Sequence, residues 1–181
     1  MLTKEIYEKY KEEAIAYLNN AHIVVTKDEM DRLEVAEYDL NDPDNIGLEL
    51  IVYVNTERCC AKELVLLPGQ ACPEHRHPPV DGKDGKEETF RCRYGTVYLY
   101  VEGDETTPLS GEVPERYAQV LTARHEIVLH AGDQYTIAPN TLHWFRAGKD
   151  GAVVSEFSTK SMDEFDIYTD QRINPAGKRT V

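Results

Sequence analysis

PGQACPEHRHPPVDGKDGKEETFRCRYG, residues 68–95, sets His75, His77 and Glu88 among prolines and glycines that make turns and loops rather than helices. In an extended strand residues i and i+2 face the same side. His75 and His77 can therefore approach one ion from one strand, with Glu88 arriving from another. The segment GDQYTIAPNTLHWF, residues 132–145, supplies His143 from a third. Neutral imidazoles with one carboxylate suit Mn2+, Fe2+, Co2+, Ni2+ or Zn2+ and leave positions open for substrate or water. A structural zinc site would more often be closed and use cysteine. One histidine alone is more often a surface or core residue, so the metal reading rests on the set. His22, His125 and His130 lack such neighbours and are expected not to be ligands.

Outward from this stretch, the pattern is of short strands. Residues 35–40, 48–55 and 61–67 are rich in β-branched and aliphatic side chains and are separated by turn-forming NDPDN and NTERC. Residues 88–94 and 96–102 read as two strands broken at Gly95. Residues 119–121, 126–129, 135–138, 143–147 and 153–158 follow. Upstream, Thr3 is placed to cap a helix to about Asn19, and Thr26 with Glu29 makes a capping box for a short helix over 27–33. Many short strands bounded by turn signals predict an all-β sandwich or barrel with an N-terminal helix. No composition break marks a second domain. The expected division is a helical segment over 1–34, a β-barrel over 35–160, and a tail over 161–181 that wraps the outside or frays.

The 181 residues are 41% hydrophobic and 29% charged, with a net charge of −13. That balance argues against nucleic acid or an anionic membrane as partner. There is no apolar run of about 18 residues to span a membrane, and the charged start MLTKEIYEKYKEEA is not a signal peptide. A cytoplasmic location is expected. Cys59, Cys60, Cys72 and Cys92 form no CxxC pair and are expected to be reduced.

Gly69, His75-x-His77, Glu88 and Gly95 resemble the first motif of the cupin superfamily, and Gly132-Asp133 through Pro139 to His143 resembles the second. Two departures stand out. Ten residues separate His77 from Glu88, longer than the usual gap, and Ala147 occupies a position where cupins often carry Asn. The resemblance implies a jelly-roll barrel with a metal inside its mouth. The runs HRHPPVDGKDGKEETFRCRYGTVYLY (75–100), GDQYTIAPNTLHWF and VSEFSTKSMDEFDIYT (154–169) resemble the cupin-type D-lyxose ketol-isomerases over nearly the whole chain after residue 60. That family implies interconversion of D-lyxose and D-xylulose, or D-mannose and D-fructose, with a divalent metal, commonly Mn2+. It also implies a homodimer, for which the tyrosine-rich first helix offers an interface.

Aldose–ketose isomerisation moves a hydrogen between C1 and C2. A carboxylate can carry the C2 proton to C1, and a cation near the oxygens can stabilise developing negative charge or shuttle a proton. Glu156, set between apolar neighbours in VVSEFS, is the candidate base. Lys86, in Lys86-Glu87-Glu88, is the candidate electrophile or acid. The bland alternatives are a strand-edge charge facing water for Glu156 and a solvated loop residue for Lys86. A metal-assisted hydride shift is the rival mechanism. An Fe2+-dependent dioxygenase could use the same His3Glu set, and a non-catalytic sugar-binding cupin would need no complete set. Arg76, Lys83, Arg91 and Arg93 keep a phosphorylated sugar open. One of Trp144 and Phe145 is expected to line the pocket. Asp166 could close over the mouth, though acidic runs are usually solvated.

Overall fold

Thr3 accepts a hydrogen bond from Ile6 N and opens helix α1, Lys4–Asn20. Thr26 and Glu29 close a reciprocal capping box on α2, Lys27–Arg32. Both helices match expectation, because caps are local and need no tertiary partner to be recognised. This computed structural model describes residues 2–173, so the expectation for 174–181 lies outside the described residues.

Nine strands follow: β1 Glu34–Ala36, β2 Leu48–Asn55, β3 Cys60–Leu66, β4 Ala71–Arg76, β5 Glu88–Val101, β6 His125–His130, β7 Gln134–Ile137, β8 His143–Ser158 and β9 Ile167–Tyr168. Their order is β1-β2-β3-β8-β4-β9, with β5 joining β8 to β6 and β7, and every pair is antiparallel. β8 is the spine. Its first half lies between β4 and β5, its second between β3 and β5. The sheet curls into a jelly-roll half-barrel, as the cupin motifs implied.

Four expectations need correction. Residues 143–147 and 153–158 are not separate strands but the two ends of β8, continuous from His143 to Ser158. Residues 88–94 and 96–102 form one strand that bends at Gly95 without ending. Gly95 has φ +71°, and a methyl group there would lie 2.0 Å from the carbonyl oxygen of Gly151, so the two long strands touch backbone to backbone at their bulge. Residues 119–121 are no strand. They continue a 3-10 turn over Glu115–Tyr117 and bury Leu121 beside it, a short apolar run that pattern alone cannot assign. Of the expected strand 35–40 only Val35 and Ala36 pair with β2, together with Glu34 before them, because Tyr38, Asp39 and Asn41 take positive φ and turn the chain away from the pairing.

The concave face holds the main core, with Leu48, Leu50, Leu64, Leu66, Phe90, Cys92, Phe145 and Val154 in one cluster. α1 covers the convex face, packing Tyr10, Ala14 and Leu18 over Val35, Ile51, Val65 and Val153. Glu49 also lies beneath α1. One of its oxygens accepts from Gln70 Nε2 at 3.1 Å and the other has no partner. Burial pushes its carboxyl up to about 8. An unfolded Glu titrates near pH 4.3, so the folded state holds an extra proton between there and about pH 8. The contribution is full below that window and is lost as pH rises through it, by roughly 4 kcal/mol at pH 7 to 8. Glu49→Gln is expected to flatten this slope. In urea titrations it should gain stability over the parent at pH 8 and show little gain at pH 5.

Candidate active site

The mouth of the half-barrel gathers the four expected metal ligands. β4 delivers His75 and, one residue past its end, His77. Glu88 opens β5, and His143 opens β8, paired with His75 on one side and Val101 on the other. Ring centroids stand 4.3 Å apart for His75 and His143, 4.8 Å for His75 and His77, and 5.4 Å for His77 and His143. Each Nδ1 has an oxygen partner: Pro73 O at 2.8 Å for His75, Thr141 O at 2.9 Å for His143, and Asp166 Oδ1 at 2.5 Å for His77. Carbonyl oxygens only accept, so the Nδ1 atoms of His75 and His143 carry the protons and their Nε2 lone pairs are left free. Such outer hydrogen bonds are what orient histidine ligands on metals.

Among the described residues, these three histidines are the one group whose ligand atoms all lie within 4.8 Å of one another. Glu88 Oε1 joins them at 2.9 Å from His143 Nε2 and 3.3 Å from His77 Nε2. His143 Nε2 is nonetheless buried without an aligned hydrogen bond. Electron-rich atoms crowd a shared point here, and the donor set fits a divalent cation. The proton equilibria show the same demand for positive charge. Burial pulls His77 down, but Glu88 and the bond to Asp166 outweigh it and raise it to about 9. Burial and its two histidine neighbours hold His75 well below its usual value.

Lys86 and Glu156 both enter the same cavity. Lys86 Nζ lies 2.6 Å from Glu88 Oε2 and 2.6 Å from Glu156 Oε1, with both side chains buried. Neither bland alternative holds, since Glu156 does not face water and Lys86 is not solvated. Burial disfavours the Lys86 charge, but Glu156 and Glu88 overcome this and hold its pKa well above the usual lysine range. Burial would raise Glu88; Lys86, His77 and His143 instead keep it well below the usual carboxylate range. The long gap after His77 explains how Lys86 arrives. Residues 78–87 fold back, with Val80 and Lys83 bonding each other, and the return passes directly over His77. A methyl group at Gly85 would sit 1.9 Å from the His77 carbonyl oxygen. Gly85→Ala must displace this backbone and move Lys86 with it. Misplacement by about 1 Å costs on the order of 100-fold in rate. The variant is expected to lose kcat on that scale with an unchanged circular dichroism spectrum.

Several cavity residues escaped the sequence reading. Lys62 faces inward from β3, opposite Glu156 of β8, and bonds Ser161 Oγ at 2.9 Å and Asp163 Oδ2 at 3.1 Å. Its signal was an alternation in AKELVL that puts a lysine in line with two buried leucines. Tyr38, Cys72, Asp163 and Tyr168 also line the cavity, as does Asp166, which the sequence reading had allowed over the mouth. The chain from 161 was expected to wrap the outside or fray. Through Tyr168 and Asp166 it reaches the site instead, and the i, i+2 spacing of those two residues was the available clue. Of the two adjacent aromatics, Phe145 lines the cavity, while Trp144 stacks on Tyr100 on the opposite face with centroids 4.0 Å apart. The basic residues that kept a phosphate open lie elsewhere: Arg91 bonds Gln134, Arg93 bonds Ser155, Arg76 pairs with Glu102, and Lys83 is exposed.

A curled antiparallel half-barrel of this kind is a cupin-like fold. The L-ribose isomerase of Cellulomonas parahominis superposes with a TM-score of 0.77 at 16% identity, over 99% of this chain and 97% of that one. The L-ribose isomerase of Acinetobacter sp. DL28, solved with L-ribose, gives 0.76 at 17% identity, over 95% and 94%. No family model matches the chain. Among curated proteins, the D-lyxose/D-mannose isomerase of Thermosediminibacter oceani is 58% identical over 96% of both chains. The D-lyxose ketol-isomerase of Thermofilum sp. is 54% identical over the same share. The chain belongs to the D-lyxose ketol-isomerase family.

Proposed function

We propose that this protein interconverts D-lyxose and D-xylulose, and to some extent D-mannose and D-fructose, by moving a proton between C1 and C2. The observation that carries the reading is the junction of two sites in one cavity: the His75, His77, His143 and Glu88 cluster, and the Lys86–Glu156 pair 2.6 Å apart beside it. Those four residues would hold a divalent ion, which when bound would polarise the sugar carbonyl and acidify the neighbouring hydroxyl. Glu156 takes the proton from C2 and returns it to C1, passing through an enediol. Lys86 serves as a fixed positive charge for the oxygens as they gain negative charge. Its tightly held proton favours that role over proton shuttling.

The lining favours a free sugar. Lys62 and Lys86, the lysines of this charged lining, are already paired with Asp163 and with Glu88 and Glu156, which leaves neither for a phosphate. The charged lining also disfavours an Fe2+-dependent dioxygenase acting on an apolar substrate. Mn2+ is the ion we favour, on the all-nitrogen-and-oxygen donor set. A homodimer finds support in the exposed Val54 and Phe157, which lie in one row across β2, β3 and β8, and sedimentation velocity would test it. We place the protein in the cytoplasm. No helix among the described residues is long and apolar enough to cross a membrane.

The direct test offers chelator-stripped, Mn2+-reloaded protein D-lyxose, D-mannose and their phosphates. Metal-dependent ketose formation is expected, fastest on D-lyxose and absent on the phosphates. No conversion with any divalent metal would refute the isomerase.

A further inference from the structure

Glu74 sits between Pro73 and His75 on β4 and is 1% exposed, yet it lies outside the cavity. Its carboxylate accepts from Thr122 N at 2.6 Å, Ala123 N at 2.7 Å, Thr122 Oγ1 at 2.9 Å and Thr169 Oγ1 at 2.6 Å. Its backbone carbonyl accepts from Thr169 N at 3.1 Å. Hydrogen bonds to a carboxylate are roughly twice as strong as neutral ones. This one side chain therefore clamps two separate segments onto the strand that carries the first two histidines.

One of those segments is the strap over residues 161–169. Its near end is held at Ser161, whose backbone exchanges hydrogen bonds with the Asn55 side chain at 3.0 and 3.1 Å. Its far end is held by the two residue pairs of β9 with β4 and by Glu74. Between the ends, Asp166 accepts from His77 Nδ1, and the Tyr168 ring lies 5.4 Å from that of His75 at 31°. The strap thus supplies an orienting contact to two of the three clustered histidines. Any slack at its far end would be felt at both.

We propose that Glu74 is a positioning residue for the metal centre: by clamping Thr169 it holds Asp166 on His77 and Tyr168 against His75, and so sets the affinity for the ion. This rests on the metal reading given above. It predicts that the two ends of the clamp differ. Thr169→Val and Thr122→Val each remove one hydroxyl donor to the same carboxylate, but only the first loosens the strap.

The test is Mn2+ titration by electron paramagnetic resonance, together with the low-field proton resonance of His77 Nδ1–H in metal-free protein. Thr169→Val is expected to raise the Mn2+ dissociation constant at least about tenfold, the usual scale for losing an outer partner of a metal ligand. It should also shift or broaden the His77 resonance. Thr122→Val should leave both unchanged, even where both variants lose similar thermal stability. Glu74→Gln should follow Thr169→Val; should it fail to fold, the threonine pair still decides. An unaltered affinity and resonance in folded Thr169→Val would overturn the proposal, as would equal changes in the two threonine variants. A parent protein that binds no Mn2+ would remove the metal reading, while a His77 resonance disturbed by Thr169→Val alone would still uphold the positioning role.

Discussion

His77→Ala is expected to abolish both metal binding and turnover. The substitution removes one Nε2 donor from a cluster whose members stand within 4.8 Å of one another, and it leaves Asp166 buried without its imidazole partner. An uncompensated buried carboxylate is costly, so the site loses a ligand and the fold around Asp166 loses stability. Carbonyl polarisation by a bound cation amounts to several kcal/mol, so turnover should fall by at least about 1,000-fold. Equilibrium dialysis against Mn2+ and the D-lyxose assay check the two halves separately. Retained stoichiometric binding in the variant would show that His77 is not a ligand.

Glu156→Gln separates chemistry from metal binding. The glutamine keeps the shape of the side chain that meets Lys86 but cannot accept the C2 proton. Among the described residues Glu156 bonds Lys86 and Ser158 rather than any of the three histidines. Mn2+ affinity should therefore persist while kcat drops at least about 100-fold, the usual size of a general-base effect. Running the parent enzyme in D2O adds a direct check. Proton transfer through Glu156 places solvent deuterium at C1 of the ketose, whereas a hydride shift between C2 and C1 leaves C1 unlabelled. Full activity in Glu156→Gln would take the residue out of the mechanism.

Much of this site could be read from the chain. His75-x-His77 and Lys86-x-Glu88 are i, i+2 pairs, and in extended backbone that spacing alone puts both members on one side. Glu156 announced itself as a charge inside an apolar strand. Lys62 carried the same kind of signal and was passed over, since a single lysine in a strand usually bends its charge out to water. Asp166 sits in an acidic run of the sort that is ordinarily solvated, so its place between Phe165 and Ile167, two residues before Tyr168, was only a weak clue. Its partner is 89 residues away in sequence. Strand ends were misjudged where glycine lets a bend replace a break, as at Gly95, and where Tyr38, Asp39 and Asn41 turn the chain with positive φ.

By itself the sequence determined the features that depend on near neighbours: the capped helices, the alternating strands, and the four clustered candidate ligands with the lysine and glutamate beside them. Their physical basis is the fixed period of each backbone form and hydrogen bonds spanning three or four residues. Only the tertiary structure decided which distant segments complete the cavity. The curl of the sheet sets Lys62 opposite Glu156, brings the 161–169 strap over the mouth, and lets Glu74 clamp it there. Those meetings depend on which strands become neighbours, and that choice belongs to the whole fold.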